Sequence, residues 1–409
     1  MTGPLRSREG PESWSHEGRA VVIEKVSFRN FKAYRSLDLE LEPLTVLVGP
    51  NAAGKTTLLQ GLHLATAFAS GHGIATTVSE DTIRTALASH GETDLVSWNF
   101  SGTWSGEEGH VGVRFETSFK DISVWGELGE ALFEIIRAPL SLRDKNKSAL
   151  WAASLVQQLP PNFRRDLHST SILRFELQCL ADASYSEESI PSMDGSGNGL
   201  ASVLAYLKLG QDDIFDDIQQ ALRQIVPSVR RIRIERAAVE RTAVRTIALD
   251  EQRHQVPEQR KLWGNKVVLD MNGAKGVAAD SIGEGTLMAL GLLTVLMSPD
   301  KPRLILLDDI EIGLHPVAQG KLIETLRRFQ ERDPELQIVA TSHSPFILNY
   351  LKPEEVRMVF LSEDGSAHCE KLTAHPEFAR WRDMMSPGEF WSTVGESWVA
   401  KTGASESHE

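Results

Sequence analysis

One stretch constrains this chain more than any other. LTVLVG, Leu44 to Gly49, is a compact run of strand-forming residues; it leads into Gly49-Pro50-Asn51-Ala52-Ala53-Gly54-Lys55-Thr56, after which Leu58, Leu59, Leu62, Ala65 and Ala69 recur at helical spacing. That order predicts strand, tight loop, helix, the context required by the pattern G-x-x-x-x-G-K-[ST]. The glycines permit backbone angles that aim successive N–H groups into a concave nest, and the helix N-terminus adds the positive end of its dipole. Phosphate belongs in such a nest. Lys55 is placed to meet β- and γ-phosphates as a point charge, and the Thr56 hydroxyl to ligate Mg²⁺.

Composition narrows the partners. The chain has 409 residues and 41% hydrophobic content, enough to bury two or three structural units. Its 43 basic residues against 56 acidic ones give a net charge of -13, so DNA binding requires a local basic patch. Two cysteines, Cys179 and Cys369, exclude a disulfide framework and a four-cysteine zinc site. Residues 1–20 are polar, lack the apolar run of a secretory signal, and are expected to be a disordered tail. The longest apolar run, Leu287 to Met297, falls short of the roughly 20 residues that span a bilayer, so a cytoplasmic protein without membrane contact is expected.

Along the chain, VVIEKVSFRNFKAYRSLDLELE alternates as two half-buried antiparallel strands around Arg29-Asn30. VGVRFETSF reads as another strand, GELGEALFEIIRAPLSL and SALWAASLVQQL as helices. No heptad persists, which argues against a coiled-coil arm. After the loop Asp194 to Gly199 come two helices, LASVLAYLKL and DDIFDDIQQALRQIV; VRRIRIERAAVE and NKVVLDMN then read as strands, and SIGEG opens the apolar helix TLMALGLLTVLM. RLILLDD and QIVATSH have the continuous apolar character of strands buried on both faces of a parallel sheet, with a helix between them striped by Leu322, Ile323, Leu326 and Phe329.

Chemistry gathers at the strand ends. Asp308 and Asp309 follow four apolar residues at a carboxyl edge, where open α/β sheets place ligands. Asp308 is the candidate Mg²⁺ holder with Thr56; either Asp309 or Glu311 is the candidate acceptor of the proton from attacking water. His343, in Thr341-Ser342-His343-Ser344-Pro345, is placed to meet a γ-phosphate or that water. Gly283 and Gly285 before the Thr286 helix form a second potential anion site, or simply allow close helix packing.

Taken together, these segments resemble the ABC-type ATPases of the SMC, RecF and OLD group, in particular the stand-alone AAA-family ATP-binding proteins of bacteria. The similarity runs through FRNFKAYRSLDLELEPLTVLVGPNAAGKTTLL, DSIGEGTLMALGLL, LILLDDIEIGLHP and ATSHSPFIL, about residues 20 to 70 and 265 to 365. It implies an α/β P-loop NTPase fold of ABC type, a mixed sheet with a parallel core flanked by helices, plus a helical insertion. The implied layout is residues 21–125 for the first ATPase lobe, 126–225 for the insertion, 226–365 for the second lobe and 366–409 for a C-terminal tail.

The resemblance further implies an ATPase using ATP and Mg²⁺, with two protomers sandwiching two nucleotides, so that Gly283 and Gly285 touch the γ-phosphate in trans. Nucleotide contacts are expected from Lys32, Gly49, Asn51, Ala52, Ala53, Gly54, Lys55, Thr56 and Thr57, with Ser281 or Gly283 in place of the signature serine. Three departures stand out. The signature lacks Ser-Gly-Gly-Gln, Asp309 occupies the usual glutamate position, and residues 71–130 offer no Q-loop glutamine. The 66 residues after His343 (409 minus 343) are too few for the Toprim domain that OLD nucleases carry, so a separate effector protein is expected. Phage defence or DNA repair is the implied setting, an ATP-dependent scaffold with little turnover the alternative, and a transporter subunit less favoured. Arg230, Arg231 and Arg233 head a stretch to Lys261 in which bases outnumber acids, either a DNA contact or a solvated face. Trp381, Phe390, Trp391 and Trp398 either dock a partner or pack on their own domain.

Overall fold

The computed structural model describes residues 23–69, 95–104, 107–116, 122–128, 131–136, 169–249 and 252–399. The predicted N-terminal tail and the predicted helix SALWAASLVQQL lie outside these. Strands β1 (Lys25–Phe31) and β2 (Tyr34–Glu40) form a hairpin turning at Lys32 and Ala33, not at Arg29-Asn30 as the alternation predicts; Phe31 pairs with Tyr34. β3 (Leu44–Val48) enters the glycine loop and helix α1 (Lys55–Ala69). Then come β4 (Leu95–Trp104), β5 (Glu107–Glu116), β6 (Ile122–Leu128) and β7 (Ala131–Ile136), which extend β2 and β1 into one antiparallel sheet of order β2-β1-β4-β5-β6-β7.

This corrects two expectations. Residues 126–128 and Ala131–Ile136 are strand, not helix: Glu, Leu and Ala favour helix weakly, and pairing of β6 with β7, Leu128 opposite Ala131, overrides that preference. The insertion at 126–225 is accordingly not wholly helical. β8 (Thr170–Leu173), inside the same range, joins the central sheet, and α2 (Leu177–Ala181), α3 (Leu200–Gly210) and α4 (Asp212–Ile225) pack into the main core.

Next, β9 (Val229–Leu249) and β10 (Gln252–Met271) pair along their length, with β11 (Ala274–Ala278) added at the root. At a strand rise of about 3.3 Å per residue, that ribbon is roughly 65 Å long. It runs straight into the segment before α5 (Glu284–Met297). Strand β12 (Leu304–Leu307), helix α6 (Pro316–Arg332), strand β13 (Gln337–Ser342), helix α7 (Pro345–Leu348), strands β14 (Val356–Leu361) and β15 (Ala367–Lys371), and helices α8 (Phe378–Trp381) and α9 (Pro387–Val394) complete the described chain.

The central sheet has order β15-β14-β3-β13-β12-β8; β14, β3, β13, β12 and β8 are mutually parallel and β15 is antiparallel. Its side chains alternate between two cores. Val46, Val48, Ile305, Leu307, Ile338 and Ala340 face the layer of α3, α4 and α5. Leu47, Leu304, Leu306 and Val339 face α1 and the antiparallel sheet, where Phe28, Phe31 and Trp98 meet edge to face. Burial on both faces is why these strands read as unbroken apolar runs. Residues 366–399 are no detached tail: β15 is an edge strand of this sheet, and Phe390 and Trp398 are buried in the main core, with Trp381 and Trp391 packed against it. Of the two readings of those aromatics, packing on their own domain is the one their burial supports, since it removes their apolar area from water.

Candidate nucleotide site

The parallel strands end at one edge, and the predicted residues converge there. Gly49 has φ 153°, and a Cβ at its position would lie 2.1 Å from the Val359 carbonyl oxygen, so the loop needs glycine to pass β14. Gly54 (φ 106°) is closed in by Ala367 and Tyr34, whose hydroxyl donates to the Gly54 carbonyl at 3.2 Å. Ala52, at φ 62°, sits in the left-handed region; Asn51 and Ala52 are exposed, Ala53 is buried, and Thr57 is half-buried on α1.

Lys55 is 4% exposed and donates to the carbonyls of Gly49 and Pro50, both at 2.8 Å. Burial pushes its ammonium below the ordinary lysine value, against the pull of Asp309, Asp308, Glu311 and Glu396. Glu396 follows α9, so the C-terminal segment brings a carboxylate into the field of this pocket. The Thr56 hydroxyl donates to Asp308, 3.0 and 3.1 Å from its two carboxylate oxygens, and Thr341 Oγ1 donates to Asp308 Oδ1 at 2.7 Å. A hydroxyl beside a carboxylate at the mouth of a phosphate nest is a hard-oxygen set that suits Mg²⁺, which takes few protein ligands and completes its shell with water and phosphate. The residues fit the ion.

Asp309 turns sharply off β12 with φ 54°, a conformation aspartate tolerates, and its N–H donates to Thr341 Oγ1 at 2.7 Å. Its carboxylate lies 3.6 Å from His343 Nε2, and His343 Nδ1 lies 3.5 Å from Lys55 Nζ. Glu311 Oε1 accepts from the His343 N–H, while its Oε2 is buried with no hydrogen-bond partner among the described residues. His343 is thus bracketed by Lys55, Asp309 and Glu311.

Other predicted residues lie further out. Lys32 sits in the β1–β2 turn at φ 51°, and its ammonium donates to Gln60 Oε1 on α1 at 2.6 Å. At the start of α5, Ser281 and Gly283 are exposed, and a Cβ on Gly283 would meet nothing. Gly285 is buried, and a Cβ there would sit 2.3 Å from the Gly313 carbonyl oxygen, so the absence of a side chain lets α5 pack closely on the loop after β12. Arg230 and Arg231 are both exposed, between buried Val229 and Ile232, at the bulge where β9 meets the end of β10, and the Arg230 guanidinium donates to Asn272. Arg233 pairs with Glu235 at 2.9 Å and Asp270 at 3.6 Å.

Sequence reasoning missed Arg174, whose Nε lies 3.2 Å from Asp308 Oδ2. A run of four strand residues just before it, TSIL, was the available signal. Among the described residues, no helix is long and apolar enough to cross a membrane.

Residues 44–349, more than half of the chain, match the family described as "AAA domain, putative AbiEii toxin, Type IV TA system". Shorter stretches are similar to curated proteins. The chain is 54% identical over 44 residues to the DNA replication and repair protein RecF of Roseiflexus castenholzii, covering 10% of this chain and 11% of that one. It is 44% identical over 43 residues to the OLD nuclease of Thermus scotoductus (10% and 8%), and 32% identical over 73 residues to the Septu protein PtuA of Bacillus thuringiensis (18% of each). These matches span under a fifth of each relative. Among solved structures, an Smc head bound to the C-winged helix domain of ScpA aligns at TM-score 0.50 and 10% identity, over 85% of this chain and 97% of the other. An Smc head with an extended coiled coil, bound to the C-terminal domain of ScpA derived from Pyrococcus furiosus, aligns at TM-score 0.50 and 10% identity, over 88% and 99%. At that identity the likeness is one of fold. The chain belongs to this AAA domain family, on the ABC-type ATPase fold of the SMC, RecF and OLD group.

Proposed function

We propose that this chain binds and hydrolyses ATP and acts as a switch, closing into a nucleotide-sandwich dimer or higher assembly that controls a separate effector protein or DNA. The observation that carries the reading is the junction of Lys55, Thr56 and Asp308 under a glycine nest, with Asp309, Glu311 and His343 beside it. Thr56 and Asp308 would hold Mg²⁺, which would supply positive charge to offset that of the phosphates. Lys55 releases the loop carbonyls to meet phosphate oxygens. Asp309, partly exposed and facing His343, accepts the proton from water. Glu311 positions His343 by holding its main-chain N–H through Oε1. The exposed Gly283 and Ser281 are the part of the α5 entry that a second protomer can present to the nucleotide.

Phage defence or DNA repair is the setting we favour, supported by the matched RecF and PtuA and by the group resemblance. A second reading, an ATP-binding scaffold with little turnover, draws on the short Asp309 side chain. Sustained phosphate release above roughly 1 per minute excludes it. The direct test is Lys55→Ala, which removes a phosphate contact. Phosphate release is expected to fall more than about 100-fold, while two lost hydrogen bonds cost about 1–3 kcal/mol of stability. Undiminished turnover would overturn the site.

A further inference from the structure

Arg174 belongs to no motif, yet the fold delivers it to the pocket. It follows β8 directly, and because Leu173 pairs with Leu307 in parallel register, Arg174 and Asp308 leave the sheet side by side. Main-chain bonds fix both: the Arg174 N–H donates to the Gly195 carbonyl at 2.7 Å, and the Asp308 N–H to the Leu173 carbonyl at 3.0 Å. Their side chains then meet at 3.2 Å.

The Asp308 side chain is 16% exposed, accepts from Thr56 and Thr341, and is ion-paired with Arg174. Such a carboxylate beside a phosphate nest repels a triphosphate unless a cation accompanies it. With the metal present, Mg²⁺ is that cation. We infer that Arg174 is the resident counter-ion of Asp308: it stands in for Mg²⁺ while the pocket is metal-free and yields the carboxylate when the metal arrives. This rests on the ATP-binding reading above.

Two further observations support the assignment. The Arg174 side chain is 42% exposed, so it can swing away without opening the core, and an ion pair this exposed contributes at most about 1 kcal/mol to the fold. Its charge also reaches Lys32 and His63, both held below their ordinary values by burial first and by Arg174 second.

The experiment is calorimetric titration of ATP into wild type, Arg174→Ala and Arg174→Lys, each in excess EDTA and in Mg²⁺. Arg174→Ala is expected to weaken binding about tenfold in EDTA but less than about twofold in Mg²⁺, with Arg174→Lys keeping most of the EDTA affinity. Equal losses in both buffers, no loss in EDTA, or a wild type that binds ATP only with Mg²⁺ would each overturn the inference. A wild type that takes up no ATP even with Mg²⁺ overturns the ATP reading instead, a separate result. Thermal melting of both variants, expected within a few degrees of wild type, keeps a folding defect apart from a binding one.

Discussion

Strand β12 and the ribbon of β9 and β10 are both β-structure, but they differ in what covers them. β12 is four residues long, pairs on both sides, and is buried on both faces. β9 and β10 run 21 and 20 residues, pair chiefly with each other, and at their root leave Arg231 and Trp263 to solvent. Hydrogen-bonded pairing is common to both, so pairing does not decide where chemistry happens; layered burial does. Where β12 emerges, Asp308 and Asp309 meet partners fixed by packed strands, and their fields act at reduced screening. On the ribbon root, Arg233 and Lys266 lie beside Glu235 and Asp270, and their charges largely cancel.

Three measurements sharpen or break this contrast. Leu306→Ala, at a fully buried position of β12, is expected to cost about 2–5 kcal/mol in chemical denaturation; a loss below 1 kcal/mol would mean the sheet is not the organising layer. At the strand end, Asp309→Asn is expected to lower phosphate release by about 10²–10⁴-fold and Glu311→Gln by on the order of tenfold, with little change in stability for either. The reverse ranking would make Glu311 the proton acceptor. Smallest of all, Trp263→Ala on the ribbon, 61% exposed under the Arg236 guanidinium, should cost no more than about 1 kcal/mol and leave phosphate release unchanged. A drop in turnover there would show that the ribbon, which leads directly into α5, is coupled to the pocket.

What was legible in the residues follows the same division. The glycine loop, Asp308 and His343 were readable because each sits at the end of a short apolar run whose local order announces strand, turn and helix. GELGEALFEII misled because helix propensity is weak and the hairpin supplied a competing set of partners. Arg174 was invisible because β8 pairs with β12 across more than a hundred intervening residues, a non-local contact that leaves no periodicity behind. The aromatics near the C-terminus were ambiguous for a related reason, since exposed anchors and buried core side chains have the same composition.

By itself the sequence determined which main-chain segments are strands buried on both faces and where a phosphate nest must form, because local sterics and apolar runs dictate those. Only the tertiary structure decided that Arg174 reaches Asp308, that Gly285 packs closely against Gly313, that Glu396 lies within the field of Lys55, and that Arg233 pairs with Glu235 and Asp270. Those outcomes depend on strand order and layer stacking, and both are settled by the most favourable burial of the whole chain rather than by any one segment.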